Sequence, residues 1–357
     1  MTNHESPHNE SLPDAQSQLG PPTELPESAA RRLLELRLLY HFISTTAPTF
    51  PATQDPETLK VWTVLVPGRA VKNVALLYAL LSMSSLHLSK TETHDDQLRQ
   101  AHRTYLGLSI MHHRHAVAAF ERVNFDSLCF TSVLLVLGSL ATLQDRPLEE
   151  PYAPPVDCLH MGAGVRDIFR VLWENFDGNS EDTMAARGIM SSGSLASDLS
   201  VIFAPGNRTR YDHILQPVTQ AAIPETNVTS SYGMKTRSQT STDIPQPDMD
   251  LADPEILEAY HKTLSFIGSV AAAIERNEHP LTICRWLMVI TIMMPAVMTT
   301  LIEQKQPRAL VILAQYFKLA EGLTDIWWVG NVAQREVTAI KNWLPPEWSS
   351  MIDRRSA

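Results

Sequence analysis

Charge, glycine and cysteine are all scarce in this chain of 357 residues. Charged residues make up 19%, with a formal net charge of −10. A broad grip on DNA needs clustered Lys and Arg against the phosphates, so this balance argues against that mode. With 14 glycines, tight turns should be few, and neither a Gly-rich phosphate loop nor a GxSxG elbow occurs. The three cysteines, Cys129, Cys158 and Cys284, lie far apart. With no CxxC pair, they support neither a zinc cluster nor a disulfide framework, and they fit a reducing compartment. The start, "MTNHESPHNESLPDAQ", has no basic and no apolar segment, so no secretory signal is expected. The sequons at Asn207 and Asn227 therefore read as chance matches. The two longest apolar runs, residues 128–143 and 286–302, fall short of the ~20 residues of a membrane span. They read as core helices.

What is abundant is Leu and Ala in helical periodicity. The pattern predicts an all-α protein, a multi-helix bundle over residues 28–352. Residues 1–27, rich in Pro, Ser, Glu and Gln, are expected to be a disordered N-terminal segment. Residues 177–250 read as a polar, partly disordered, flexible insertion. Ser28 is expected to cap the first helix, on which Leu33, Leu36, Tyr40 and Ile43 recur at helical spacing. Residues 68–89 are apolar on almost every side, as in a helix at the centre of a bundle. Further helices are expected at 95–123, 156–174, 254–276, 283–304, 307–322 and 328–343, and residues 127–143 complete a hairpin with the 95–123 helix.

Few residues suggest chemistry. The "MHHRH" stretch, Met111 to His115, puts His112 and His115 on one helical face, but no carboxylate stands at a ligand position. It reads as a solvated histidine-rich face, with no metal site assigned. No nucleophile, base or cofactor motif can be named, so the chain is not expected to be an enzyme and no catalytic residue or cofactor is assigned. In "HMGAGVRDIF", Gly162 and Gly164 read as points of close helix packing. Met288, Met293, Met294 and Met298 surround Pro295. Flexible thioethers around a bent helix suit either ordinary core packing or a pocket for an apolar ligand, and the residues alone leave both open. Trp327 and Trp328 adjoin in a segment read as helical. Neighbours on a helix are rotated ~100° apart, so one of the two should face the core.

The order of several short motifs narrows these readings. Trp62, Pro67 and Ala70 precede a Leu-rich helix ending in Ser85-x-His87-Leu88. "HMGAGVRDIF" follows, then "PRALVILAQYFKLAEGLTDIWWVG" and a closing Trp348. This arrangement resembles the regulatory domain of fungal zinc-cluster transcription factors, in the branch of the sterol uptake control proteins. The resemblance implies an all-α regulatory domain acting in the nucleus, shared with the cytoplasm, through protein partners in transcription. A homodimer is compatible with it. It also implies a cavity for an apolar molecule such as a sterol, which Met288, Met293, Met294, Met298, Trp327 and Trp328 would line. Family members carry a six-cysteine zinc cluster that reads DNA, and this chain has no such cluster. No DNA-binding residue or direct DNA contact is therefore expected from it. A truncated gene model, a homologue acting through a partner, and a domain recruited to another task remain open. The alternative reading is a non-regulatory small-molecule-binding or biosynthetic-pathway accessory protein that retains the helical pocket.

Overall fold

A computed structural model describes residues 27–119, 125–148, 151–175, 199–217 and 249–354. Most of the expected disordered N-terminus and much of the 177–250 insertion lie outside these residues. Among the described residues every regular element is helical.

Side-chain caps start several helices, and the single helix expected over 68–89 is divided between two of them. Ser28 Oγ accepts from the Arg31 amide at 3.1 Å and opens α1, Ala29–His41. Asp55 caps the short α2, Pro56–Lys60, with proline at the first helical position, where its missing N–H costs nothing. α3, Val66–Ala70, leads to Asn73, whose Oδ1 accepts from the Leu76 amide and opens α4, Val74–Thr91. α4 buries thirteen residues on nearly all sides, the expected central helix. It pairs closely with α5, Asp96–Ala119, and packs against α6, Phe125–Thr142. α6 is long and apolar enough to cross a bilayer by length and composition alone. It is also 83% buried inside the bundle, the position of a core helix.

α7, Val156–Asn175, crosses α11, Pro280–Met293, at very short range. A Cβ on Gly162 would stand 2.4 Å from the Thr291 carbonyl oxygen, so only glycine fits there. Gly164 has nothing within 4 Å of its Cβ position; close packing applies to Gly162 alone. The expected single helix over 283–304 is two helices. Pro295 separates α11 from α12, Ala296–Glu303, and their axes differ by 88°. Arg166 donates to the Met294 carbonyl at 2.7 Å and satisfies a backbone group left open at that corner.

Part of the expected insertion is a packed strap. The short α8, Leu199–Ile202, and a 3₁₀ segment, Pro205–Leu215, lie along α10, Pro254–Glu275. Ile202 and Ile214 are buried, and the Asn207 carbonyl occupies the space above Gly268. After the strap come α9, Met249–Ala252, and, beyond α12, three C-terminal helices: α13, Pro307–Lys318, α14, Val332–Trp343, and α15, Pro346–Asp353. α14 starts later than expected, because residues 324–331 form turns that include Gly330 at φ +53°. Trp327 and Trp328 thus lie in a turn, and the helical rotation argument does not apply to them.

Candidate functional site

The tryptophan pair joins the two ends of the bundle. A short 3₁₀ turn at Ala47–Thr49 presents both groups of Thr49 to it. Trp328 donates its indole N–H to the Thr49 carbonyl at 3.2 Å, and Trp327 donates to Thr49 Oγ1 at 2.8 Å. Trp328 is 2% exposed, whereas Trp327 is partly exposed and stacks flat on His87 at 4.2 Å between centroids, tilted by 9°. His87 also bonds Thr46 Oγ1 at 3.0 Å. Burial, with His41 beside it, pushes the His87 pKa down to about 4. Edge-on aromatic contacts extend this cluster from Phe42 through Phe50 and Trp62 to Phe130.

The six residues expected to line one apolar cavity do not meet in one place. Trp328 borders a hollow of about 30 Å³ with Leu140, Leu287 and Phe317. Met293 and Met294 border another of about 10 Å³ with Phe203 and Phe266. Voids of this size hold roughly one or two waters. Met288 and Met298 are buried core residues, and Trp327 belongs to the His87 stack.

The other titratable groups also serve packing. All three cysteines are free and buried, and burial raises the thiols of Cys158 and Cys284 to about 12. These are not reactive thiols. Within "MHHRH" the expected solvated face is half buried. His113 bonds Ser132 Oγ at 3.0 Å, and desolvation lowers its pKa to about 4. No group of three or more potential metal ligands occurs among the described residues.

Sequence reasoning missed Arg308, which is fully buried in α13. Its Nε donates to Asp250 at 3.0 Å, and its Nη1 donates to the carbonyls of Ile214 and Gln216. Its guanidinium lies 5.0 Å from the Trp348 ring centroid. One side chain thus ties the strap, α9 and the C-terminal helix together. The available signal was a lone cation in an apolar run, "PRALVILAQYF", since a buried charge needs partners.

Among the described residues the site is thus a set of aromatic and arginine clasps that hold a helical bundle together. Residues 37–140 match the family model described as fungal specific transcription factor domain. Over 283 residues the chain is 27% identical to a Zn(2)-C6 fungal-type transcription factor, afumD, of Aspergillus fumigatus, covering 78% of this chain and 65% of that protein. A Zn(2)-C6 fungal-type transcription factor of Gibberella zeae is 23% identical over 88% of this chain and 59% of its own length. Sterol uptake control protein 2 of Candida albicans is 24% identical over 85% of this chain and 39% of its own. Over most of its length the chain is thus similar to fungal zinc-cluster transcription factors. It spans about two thirds or less of these relatives' lengths.

Proposed function

We propose that this chain regulates transcription in the nucleus, with a share in the cytoplasm, through protein contacts made by its helical domain. The observation that carries the reading is the transcription factor domain at 37–140 inside a bundle whose clasps serve packing and not catalysis. The net charge of −10 favours protein over phosphate as the partner. The surface offers a contact site on α1, where Leu33, Leu36 and Tyr40 are 69%, 63% and 74% exposed and Ile43 continues the line. Their steps of 3, 4 and 3 residues read the same in both directions. An antiparallel second copy would set Leu33 against Ile43 and Leu36 against Tyr40, the self-complementarity of a twofold interface. Fusing the chain to a heterologous DNA-binding domain tests the regulatory reading: a reporter gene should change its output. An unchanged reporter, with the fusion located in the nucleus, would overturn it. Leu36→Glu should return a dimer to the monomer in light scattering.

The regulation extends, in this proposal, to an apolar molecule of sterol size reached through Met288, Met293, Met294, Met298, Trp327 and Trp328. Support comes from the similarity to Sterol uptake control protein 2 and from the hollow that Met293 and Met294 line beside Pro295. Ligand sites measure roughly 300–1,000 Å³, so the two small hollows would have to merge on binding. Organic extraction of the purified protein should release a lipid; an empty extract from protein produced in a sterol-containing host counts against this part alone.

A further inference from the structure

We infer that the strap is a hinged lid: residues 201–207 swing off α10, pivoting on residues 210–216, and uncover the apolar floor beside the Pro295 corner. The inference deepens the apolar-molecule reading above and rests on it for what enters. The opening itself rests on the strap.

The strap has little stability of its own. Pro205–Leu215 is eleven residues of 3₁₀ helix, whereas such runs rarely exceed three or four residues because their hydrogen bonds are poorly aligned. Its buried pegs are Ile202 and Ile214, one toward each end. The rest of its fastening comes from other elements, and it is uneven.

The C-terminal half is tied by hydrogen bonds. Arg308 donates to the carbonyls of Ile214 and Gln216, and a fully buried cation does not release such partners readily. His213 meets the Met351 carbonyl at 3.1 Å, and Arg210 makes two bonds to Glu275 at 2.8 and 2.9 Å. Among the described residues, no hydrogen bond joins residues 201–207 to another element. Asn207 instead donates its side-chain amide to the Val201 and Ile202 carbonyls of the same segment. Lifting this half strands no polar group, because those bonds travel with it. Beside the Ile202 peg, two contacts seat it: the Asn207 carbonyl rests in the space above Gly268, and the Phe203 ring stands edge-on to Phe266 at 5.8 Å.

Phe203 controls access. It is half-buried and borders the hollow shared by Phe266, Met293, Met294 and Pro295. At about 10 Å³ that hollow admits no ligand while the ring is in place. Lifting residues 201–207 withdraws the ring and turns the hollow into an open groove floored by Thr263, Phe266 and Ile290. An apolar molecule then takes the place of the ring against Phe266 and holds the lid up. Arg308 is not disturbed, so Asp250 and Trp348 stay clasped and the bundle does not open as a whole.

Thiol labelling of the full chain tests the hinge. Cys129, Cys158 and Cys284 are buried and serve as internal controls for global unfolding. Ile202→Cys and Ile214→Cys put the same thiol at the two pegs. With dithiobis(nitrobenzoate) in native buffer, Ile202→Cys should label about a hundredfold faster than Ile214→Cys, because a local opening lies well below global unfolding. Gly268→Ala, whose methyl would stand 1.8 Å from the Asn207 oxygen, should raise the first rate about tenfold further, the low end of an overpacking penalty, and leave the second unchanged. Equal labelling of the two cysteines, or an equal rise at both in Gly268→Ala, would overturn the hinge. Cholesterol supplied from cyclodextrin should raise the Ile202→Cys rate again, since the lid cannot reclose over it. An unchanged or lower rate with cholesterol would count against the ligand and leave the hinge standing, so the two fail separately.

Discussion

Two glycines in one turn of α7 give a controlled test of how closely that helix approaches α11. Gly162→Ala places a methyl 2.4 Å from the Thr291 carbonyl oxygen and 2.7 Å from its carbon. Both are backbone atoms of a buried helix, so relief requires the helices to move apart. Gly164→Ala meets nothing within 4 Å and sits at an exposed position. Each substitution gains the same helix propensity, about 0.8–1 kcal/mol, and restricts the unfolded chain equally. Their difference therefore isolates the steric contact. Overpacking of a tight interior costs about 1–3 kcal/mol, and two rigid backbones place this case at the upper end, about 3 kcal/mol. Gly164→Ala should be more stable than the native chain by about 1 kcal/mol, and Gly162→Ala less stable by about 2 kcal/mol. Urea unfolding followed by far-ultraviolet circular dichroism and by tryptophan fluorescence measures both. Equal stabilisation by the two alanines would refute the close crossing, and with it the placing of Arg166 against the Pro295 corner.

The clasps give three further expectations. Arg308→Met should destabilise by about 3–5 kcal/mol, the cost of leaving a buried partner charge unpaired; Asp250→Asn in the same chain should restore part of it, and additive losses in urea melts would refute the pairing. Trp328→Ala should cost about 3–5 kcal/mol and the partly exposed Trp327→Ala clearly less, with equal losses refuting the assignment of the inward ring. His87 has a folded-state pKa near 4 against an ordinary 6.5. The unfolded chain therefore binds the extra proton first, and stability contributed by neutral His87 is present above pH 6.5 and lost as pH falls toward 4, by about 3 kcal/mol at most. His87→Leu should flatten that acid limb in urea melts between neutral and mildly acidic pH, and an unchanged slope would exclude His87 as its source.

Much of the helical frame was legible because its signals are local. Ser28 caps the helix it precedes, and the unbroken apolarity of α4 marks a helix with no solvent face, whereas the break at Asn73 inside the expected 68–89 helix was not read. The strap was not legible, since residues 199–217 bury little of their own and depend on Gly268 of a distant helix to admit a backbone carbonyl. The methionines were ambiguous for a related reason. Composition marks side chains able to adapt, but whether they line a cavity or fill one depends on partners far away in the chain. The α1 stripe had the spacing of a core face and faces solvent; Leu38 and Phe42, on the other side, hold the helix down.

The motifs whose order carried the family resemblance are contact partners in space. Trp62 reaches Phe50, and through Thr49 that turn holds Trp327 and Trp328. His87 closes on Trp327, Gly162 and Arg166 close on the Pro295 corner, and Arg308 closes on Trp348. The family model ends at residue 140, yet the groups that complete the environments of Thr49 and His87 come from residues 327 and 328. Removing the segment from Trp327 onward would take away the partners of Thr49 and His87 and uncover Leu140 and Leu143, which border one hollow with Trp328, Val329 and Val332. The packed unit therefore extends beyond the residues that match the family model.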